Sequence, residues 1–258
     1  GWWTKYISLK KERPYQVHYV QNPPKRLYEP YGLQEFLYPI KILDYVTTKK
    51  IDKFISNSNN TKGKILRWYG INSEIIYPPV DIKKFRTKTQ EDFFLSVQQF
   101  TPRKRIEIQI EAFRKLPKEK LIIVGFSSNK SYLKKSRKKA PKNIKFLTNI
   151  PDDELIELYA TCSATIQTSE DEPFGLVPVE SMAAGKPCIA VNEGGFRETI
   201  IHRKTGILID EPYVDSLISL IKNFDNYDFD PKILRERALG FREDVFIDKF
   251  RKLLEAKL

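Results

Sequence analysis

Short apolar runs alternate along the chain with longer stretches in which apolar positions recur every three or four residues. The runs predict strands near Tyr15–Val20, Lys53–Ser56, Phe93–Val97, Leu121–Val124, Ile144–Leu147, Ala164–Gln167, Pro187–Val191 and Ile207–Ile209. The periodic stretches predict helices near Leu33–Thr48, Asn59–Tyr69, Arg103–Leu116, Ser131–Lys139, Asp152–Ala160, Gly175–Ala184, Phe196–Ile200 and Pro212–Asn223. Strand and helix taking turns is the pattern of an α/β fold with a doubly wound parallel sheet. The last stretch, Phe229–Leu258, reads as two amphipathic helices carrying Phe241, Val245, Phe246, Phe250 and Leu253 as their apolar set. Phe85–Glu91 has the composition of a linker. The expected division is therefore 1–85, 86–228 and 229–258, with the closing helices packing back on the first part.

Composition narrows the class. A chain of 258 residues suffices for one large domain or two small ones with a real core. Hydrophobic residues make up 41% and charged residues 30%, which excludes a disordered tail. No apolar run approaches the roughly 20 residues that a bilayer-spanning helix needs. The opening Gly1-Trp2-Trp3 lacks a secretory pattern and reads as an interior cut, so a cytoplasmic fragment of a longer protein is expected. Cys162 and Cys188 read as small buried thiols, and with only His18 and His202 beside them no structural zinc site is expected.

There are 45 basic against 33 acidic residues, a formal charge of +12. The densest cluster runs from Lys130 to Lys145 and includes Lys134, Lys135, Arg137, Lys138, Lys139 and Lys142. A solvated helix face is the first reading. Attachment to an anionic membrane surface, peripheral and on the cytoplasmic side, is the second. RNA binding comes last, because no nucleic-acid module accompanies the charge.

The candidate chemistry lies in Ser169-Glu-Asp-Glu-Pro-Phe-Gly-Leu-Val-Pro-Val-Glu-Ser-Met-Ala-Ala-Gly-Lys-Pro187. Glu172 and Glu180 flank a Phe174-Gly175 turn that opens a helix. Such a helix end presents free N–H groups and a positive dipole, which suits a phosphate. Glu172 falls in the loop before it and Glu180 one turn inside. One acid can then face a sugar ring while the other takes ribose hydroxyls, with a diphosphate between them. Two acids at this spacing alone would read as a solvated helix face. The Phe-Gly turn, the Ala-Ala-Gly-Lys-Pro exit and the strand behind it favour a ligand site.

This arrangement resembles the E-x7-E element of retaining glycosyltransferases of the GT-B fold that use nucleotide sugars, the group 1 (family 4-like) type. Gln99-Phe-Thr-Pro-Arg103-Lys104-Arg105 after Val97, the strand ending at Gly125, Pro151-Asp-Asp-Glu-Leu-Ile-Glu-Leu-Tyr159, Gly194-Gly195 and Thr205-Gly206 are similar to the family's elements in the same order. Upstream, Ile55-Ser-Asn57-Ser58 and Ile76-Tyr-Pro-Pro-Val-Asp81 resemble the end of its first domain and the interdomain linker. The resemblance covers most of residues 15–210. It implies a complete donor domain and a shortened, acceptor-side first domain.

From the resemblance follow the expected roles. Lys104, an arginine beside it (Arg103 or Arg105) and the Gly175 helix end would stabilise the leaving diphosphate. Backbone amides of Phe174, Gly175 and Leu176 would hold the sugar and distal phosphate, Glu180 the ribose hydroxyls and Glu172 a hydroxyl of the hexose. Gly125 and Gln99 would line the donor site. The family is metal-independent, so the donor, a GDP- or UDP-sugar, is expected without a metal or other cofactor.

Two positions depart from the pattern. Gln21, in Tyr19-Val-Gln21-Asn-Pro23, stands where the family has a histidine that hydrogen-bonds the donor sugar. Gln99 stands where most members have arginine, in a form similar to the branch that adds mannose to dolichol-linked glycans. Mannosyl transfer from a GDP-sugar to a glycan or polyprenyl-phosphate-linked acceptor is therefore the first reading. A nucleotide-sugar-binding module without turnover is the second, and a basic scaffold at membranes or RNA the third.

Overall fold

The structure, a computed structural model, describes residues 15–28, 34–126 and 130–255. Gly1-Trp2-Trp3, the predicted helix start at Leu33 and the chain end at Leu258 lie outside the described residues. Two compact units emerge: residues 1–78 together with 253–258, and Pro79–Lys252. The predicted linker Phe85–Glu91 lies inside the second unit.

In the first unit, Val17–Val20 (β1), Lys25–Tyr28 (α1), Gln34–Thr48 (α2), Lys53–Ser56 (β2), Asn59–Tyr69 (α3) and Glu74–Ile75 (β3) follow in order. The strands form a parallel sheet, β1-β2-β3. Helix α3 starts where Ser58 Oγ accepts from the Thr61 N–H at 3.0 Å and ends at Gly70, in the left-handed conformation. Val20, Phe54, Ile65 and Tyr69 form the core. At its edge the Asp44 carboxylate accepts from the Tyr28 and Tyr69 hydroxyls at 2.9 and 2.7 Å.

The second unit runs Phe94–Val97 (β4), Ile106–Arg114 (α4), Leu121–Gly125 (β5), Lys130–Lys139 (α5), Ile144–Thr148 (β6), Asp152–Thr161 (α6), Ala164–Gln167 (β7), Leu176–Ala183 (α7), Cys188–Val191 (β8), Phe196–Thr199 (α8), Gly206–Ile209 (β9), Val214–Lys222 (α9), Pro231–Leu239 (α10) and Glu243–Glu255 (α11). The last turn of α11 belongs to the first unit by the division above. Its six strands are all parallel, in the order β6-β5-β4-β7-β8-β9. The order reverses between β4 and β7. In such sheets a crevice opens beyond the carboxyl ends of the strands on either side of the reversal, and that is where ligands bind.

Cores lie on both faces of the sheet. Phe94, Ile110, Phe113, Ile123, Ile166 and Leu217 fill one side, and Leu95, Val124, Tyr159 and Cys162 the other. The near-continuous apolar runs of the strands reflect burial on both faces. Cys162 and Cys188 are free and buried, and burial pushes both thiols up to about 12. No helix among the described residues is long and apolar enough to cross a membrane.

Three elements differ from the sequence prediction, one of them the four-residue helix α1, which no predicted helix covers. The helix predicted over Arg103–Leu116 is interrupted: Pro102–Lys104 forms a 3-10 turn, Arg105 adopts φ 49°, and α4 starts at Ile106. At the break the Thr168 hydroxyl donates to the Lys104 and Arg105 carbonyls at 2.8 and 3.1 Å, and the Arg105 carbonyl also accepts the Ile108 N–H of the first turn at 3.1 Å. The short strand β3 was not predicted, since two residues leave no periodicity to read.

Candidate functional site

Loops from four strand ends meet at the switch point. After β4 comes the Gln99–Arg105 loop, after β5 the Gly125 turn, after β7 the Thr168–Gly175 loop, and after β8 the segment Asn192–Gly195. Local hydrogen bonds lock the first and third together: the Glu170 N–H donates to the Arg103 carbonyl at 2.8 Å, and Thr168 spans the Lys104–Arg105 turn as above. Gln109 on α4 donates to the Thr168 hydroxyl at 2.9 Å. The Gln99–Arg105 loop is thereby tied to the loop after β7 and to α4.

Within that frame Lys104 Nζ donates to Glu172 Oε2 at 2.6 Å. The two side chains are 21% and 23% exposed, so the pair is sheltered yet reachable from the crevice. At this distance and partial burial the attraction amounts to several kcal/mol before desolvation is subtracted, roughly 6 kcal/mol for an effective dielectric of 20. Arg105 is engaged differently. Its guanidinium donates to Glu193 Oε1 at 2.7 Å and lies 3.8 Å from Glu170. Glu193 Oε2 in turn accepts the Asp171 N–H at 3.3 Å. Arg105 and Asp171 both hold positive φ, 49° and 47°, and Glu193 ties these two unfavourable turns together.

Gly175, with φ 93°, caps the start of helix α7. A side chain there would strain the backbone and also meet the Phe196 ring 2.7 Å from its Cβ. Phe174 is buried, edge-on to Phe241 at 5.6 Å between centroids. The Gly195 N–H donates to the Glu172 carbonyl at 2.7 Å, which fixes the loop entering the helix. Leu176, the first residue of α7, is exposed. Gly125 ends β5 so close to β4 that a Cβ would stand 1.8 Å from the Gln98 carbonyl oxygen, which explains the glycine in packing terms.

One turn into α7, Glu180 Oε2 accepts from the Tyr159 hydroxyl at 2.5 Å. Burial pushes the Glu180 carboxyl above its ordinary value, and the tyrosine bond partly offsets this. Arg103 and Gln99 are partly exposed on the same loop as Lys104. Gln21 belongs to the first unit, just past β1, where its side chain is exposed and its carbonyl accepts from Asn57 Nδ2 at 2.9 Å. The structure thus brings Lys104 to Glu172, in the loop that leads into α7. Sequence reasoning missed Glu193, Thr168 and Gln109 as supports, and it gave Tyr159 no role. The signal for Glu193 was its place directly before Gly194-Gly195.

A parallel sheet in this order, with a basic loop and a glycine-started helix at its switch point, defines an α/β domain of the dinucleotide-binding architecture. Residues 79–238 match the family described as "Glycosyl transferases group 1", and the chain belongs to that family. Among relatives, it is 26% identical over 248 residues to the alpha-1,3/1,6-mannosyltransferase ALG2 of Dictyostelium discoideum, covering 77% of this chain and 59% of that protein. It is 30% identical over 202 residues to the mouse GDP-Man:Man(3)GlcNAc(2)-PP-Dol alpha-1,2-mannosyltransferase, covering 66% and 41%. The chain thus spans about half the length of the curated relatives it matches. Its fold is shared with Anabaena Alr3699/HepE, solved in complex with UDP and glucose, at a TM-score of 0.76 and 20% identity over 94% of this chain and 71% of that one. It is shared as well with sucrose-phosphate synthase from Thermosynechococcus elongatus, at 0.78 and 22% over 95% and 69%. The fold is therefore of the GT-B type.

Proposed function

We propose that this chain carries the donor site of a retaining mannosyltransferase, which moves mannose from GDP-mannose to a glycan or lipid-linked acceptor. The observation that carries the reading is the Lys104–Glu172 pair at the switch point, with Glu172 in the loop that leads into the Gly175-capped start of α7. GDP-mannose as donor and a lipid-linked glycan as acceptor are supported by the names of the mannosyltransferase relatives.

In this reading the diphosphate of the donor takes Lys104 away from Glu172. Charge grows on the leaving phosphate as the glycosidic bond breaks, so a fixed ammonium and the N–H groups opening α7 stabilise the transition state more than the ground state. Glu172, released from Lys104, accepts from a hydroxyl of the hexose. Arg105 stays with Glu193 and shapes the loop, while Arg103 is the second cation near the phosphates. By the resemblance, Gln21 is a neutral hydrogen-bonding group where the family has a histidine. The lysine-rich α5 supports a peripheral seat on an anionic membrane surface near the acceptor's lipid. Mass-spectrometric detection of product from a panel of nucleotide sugars tests the reading. Mannosyl transfer from GDP-mannose is expected, and binding of nucleotide sugars without any turnover would favour the module reading instead.

A further inference from the structure

The E-x7-E spacing explains why a carboxylate stands at position 180 but not what aims it. Tyr159 lies in the last turn of α6, 21 residues earlier in sequence, and is 1% exposed. Its ring lies edge-on to Phe85 at 5.5 Å between centroids and is packed among Leu95, Val124, Cys162 and Ala184. From that buried position its hydroxyl donates to Glu180 Oε2 at 2.5 Å, the short distance of a hydrogen bond to a charged oxygen.

We propose that Tyr159 is a positioning residue of the donor site, holding the Glu180 carboxylate ionised and turned so that its remaining lone pairs receive the two ribose hydroxyls. The inference rests on the assignment of Glu180 to the ribose made above. A glutamate has three side-chain torsions, and an unanchored carboxylate would pay to be ordered when the nucleotide arrives. A phenol fixed by the core on one oxygen removes most of that freedom beforehand. An ionised carboxylate offers about four acceptor positions, so one tyrosine bond leaves room for a vicinal diol.

The phenol also sets the charge state. Ribose hydroxyls need the ionised carboxylate as acceptor, whereas burial drives Glu180 toward protonation, and the Tyr159 bond opposes that drive. Nucleotide affinity should therefore fall on acidification, and removing the hydroxyl should move that acid limb to higher pH.

The test is titration of the 258-residue chain with GDP and with 2′-deoxy-GDP between pH 5 and pH 8, for the wild type, Tyr159→Phe, Glu180→Gln and Glu180→Ala. The phosphates of GDP also titrate in this range, so each profile is read relative to Glu180→Gln, which keeps the phosphate site. Tyr159→Phe should weaken GDP about tenfold, the scale of a lost charge-assisted hydrogen bond. It should also narrow the preference for GDP over the deoxy analogue and shift the acid limb upward. If Glu180→Ala leaves affinity and preference unchanged, the ribose assignment itself is wrong. If Glu180→Ala loses both while Tyr159→Phe keeps affinity, preference and acid limb, the assignment stands and the positioning role falls. Should Tyr159→Phe not fold, a fluorotyrosine placed at 159 reads the same bond. As a stronger donor it should move the limb downward, and an unmoved limb would overturn the proposal.

Discussion

Lys104 faces a carboxylate, so the cation that the reading assigns to the diphosphate is stored as an ion pair rather than left free. Lys104→Ala should weaken GDP by about 1.5–3 kcal/mol, the range for losing a charged partner, while guanosine, which has no phosphate, binds as before. Calorimetry with both ligands checks this, and an equal loss for guanosine would remove Lys104 from the phosphates. Glu180 makes a stability prediction. Its pKa in the folded protein is raised by burial, so the folded state keeps the proton to higher pH than the unfolded chain does. Its contribution is full below the ordinary carboxylate range and is lost as pH rises through the raised value. Urea unfolding from pH 4 to 7 should therefore show Glu180→Gln gaining on the wild type as pH rises. Cys162 and Cys188, buried and with pKa near 12, should resist iodoacetamide at pH 8 until the protein is unfolded. At this scale the two acids were legible because they lie within one sequence motif, while Lys104, 68 residues before Glu172, was named from the resemblance of the Gln99–Arg105 loop. Their supports were not, since Tyr159 and Glu193 meet their partners only through the packing of α6 on α7 and the turn after β8.

Among the elements, strand positions followed the apolar runs closely, because strands buried on both faces need apolar residues at nearly every position. The break at Arg105 was hidden for the opposite reason. A glycine would have marked a left-handed turn, but an arginine in that conformation carries no sign in the sequence and is held by Glu193 from another loop. Glu193→Ala removes the partner of the Arg105 guanidinium and of the Asp171 N–H, and should cost about 1–3 kcal/mol of stability by denaturant melt. The segment joining α10 to α11 has a larger part than an exposed tail would. Phe241 is buried, meets Phe174 edge-on, lies under the Arg237 guanidinium at 4.9 Å, and accepts the Val80 N–H at 2.8 Å through its carbonyl. Phe241→Ala should destabilise the second unit by about 3–5 kcal/mol, as large aromatic deletions in cores do. It should also loosen the start of α7 and weaken GDP. A variant with full nucleotide affinity and an unchanged melting temperature would show that the ring supports neither.

For the whole molecule, the second unit holds a six-stranded sheet and the first unit three described strands, while the curated relatives extend well beyond the matched region. Sugar transfer needs an acceptor held in line with the donor, and orientation of that kind supplies a large part of the barrier reduction. The 258-residue chain is therefore expected to bind GDP-mannose but to transfer mannose slowly, with hydrolysis as the main outcome. A longer protein containing it is expected to transfer faster. The exposed lysines and arginines of α5 predict a second property of the whole protein, flotation with anionic but not neutral vesicles, declining as salt rises through about 0.15 M. The fold class was legible from the strand–helix rhythm. Gln21, which belongs to the other unit, was placed by resemblance alone, because no local pattern ties it to the donor. The central claim is the diphosphate site at the switch point, and calorimetric titration with GDP-mannose tests it most directly. The account predicts saturable one-to-one binding that Lys104→Ala strongly weakens. Failure of GDP-mannose, GDP and UDP-sugars alike to bind the folded wild-type chain would contradict it.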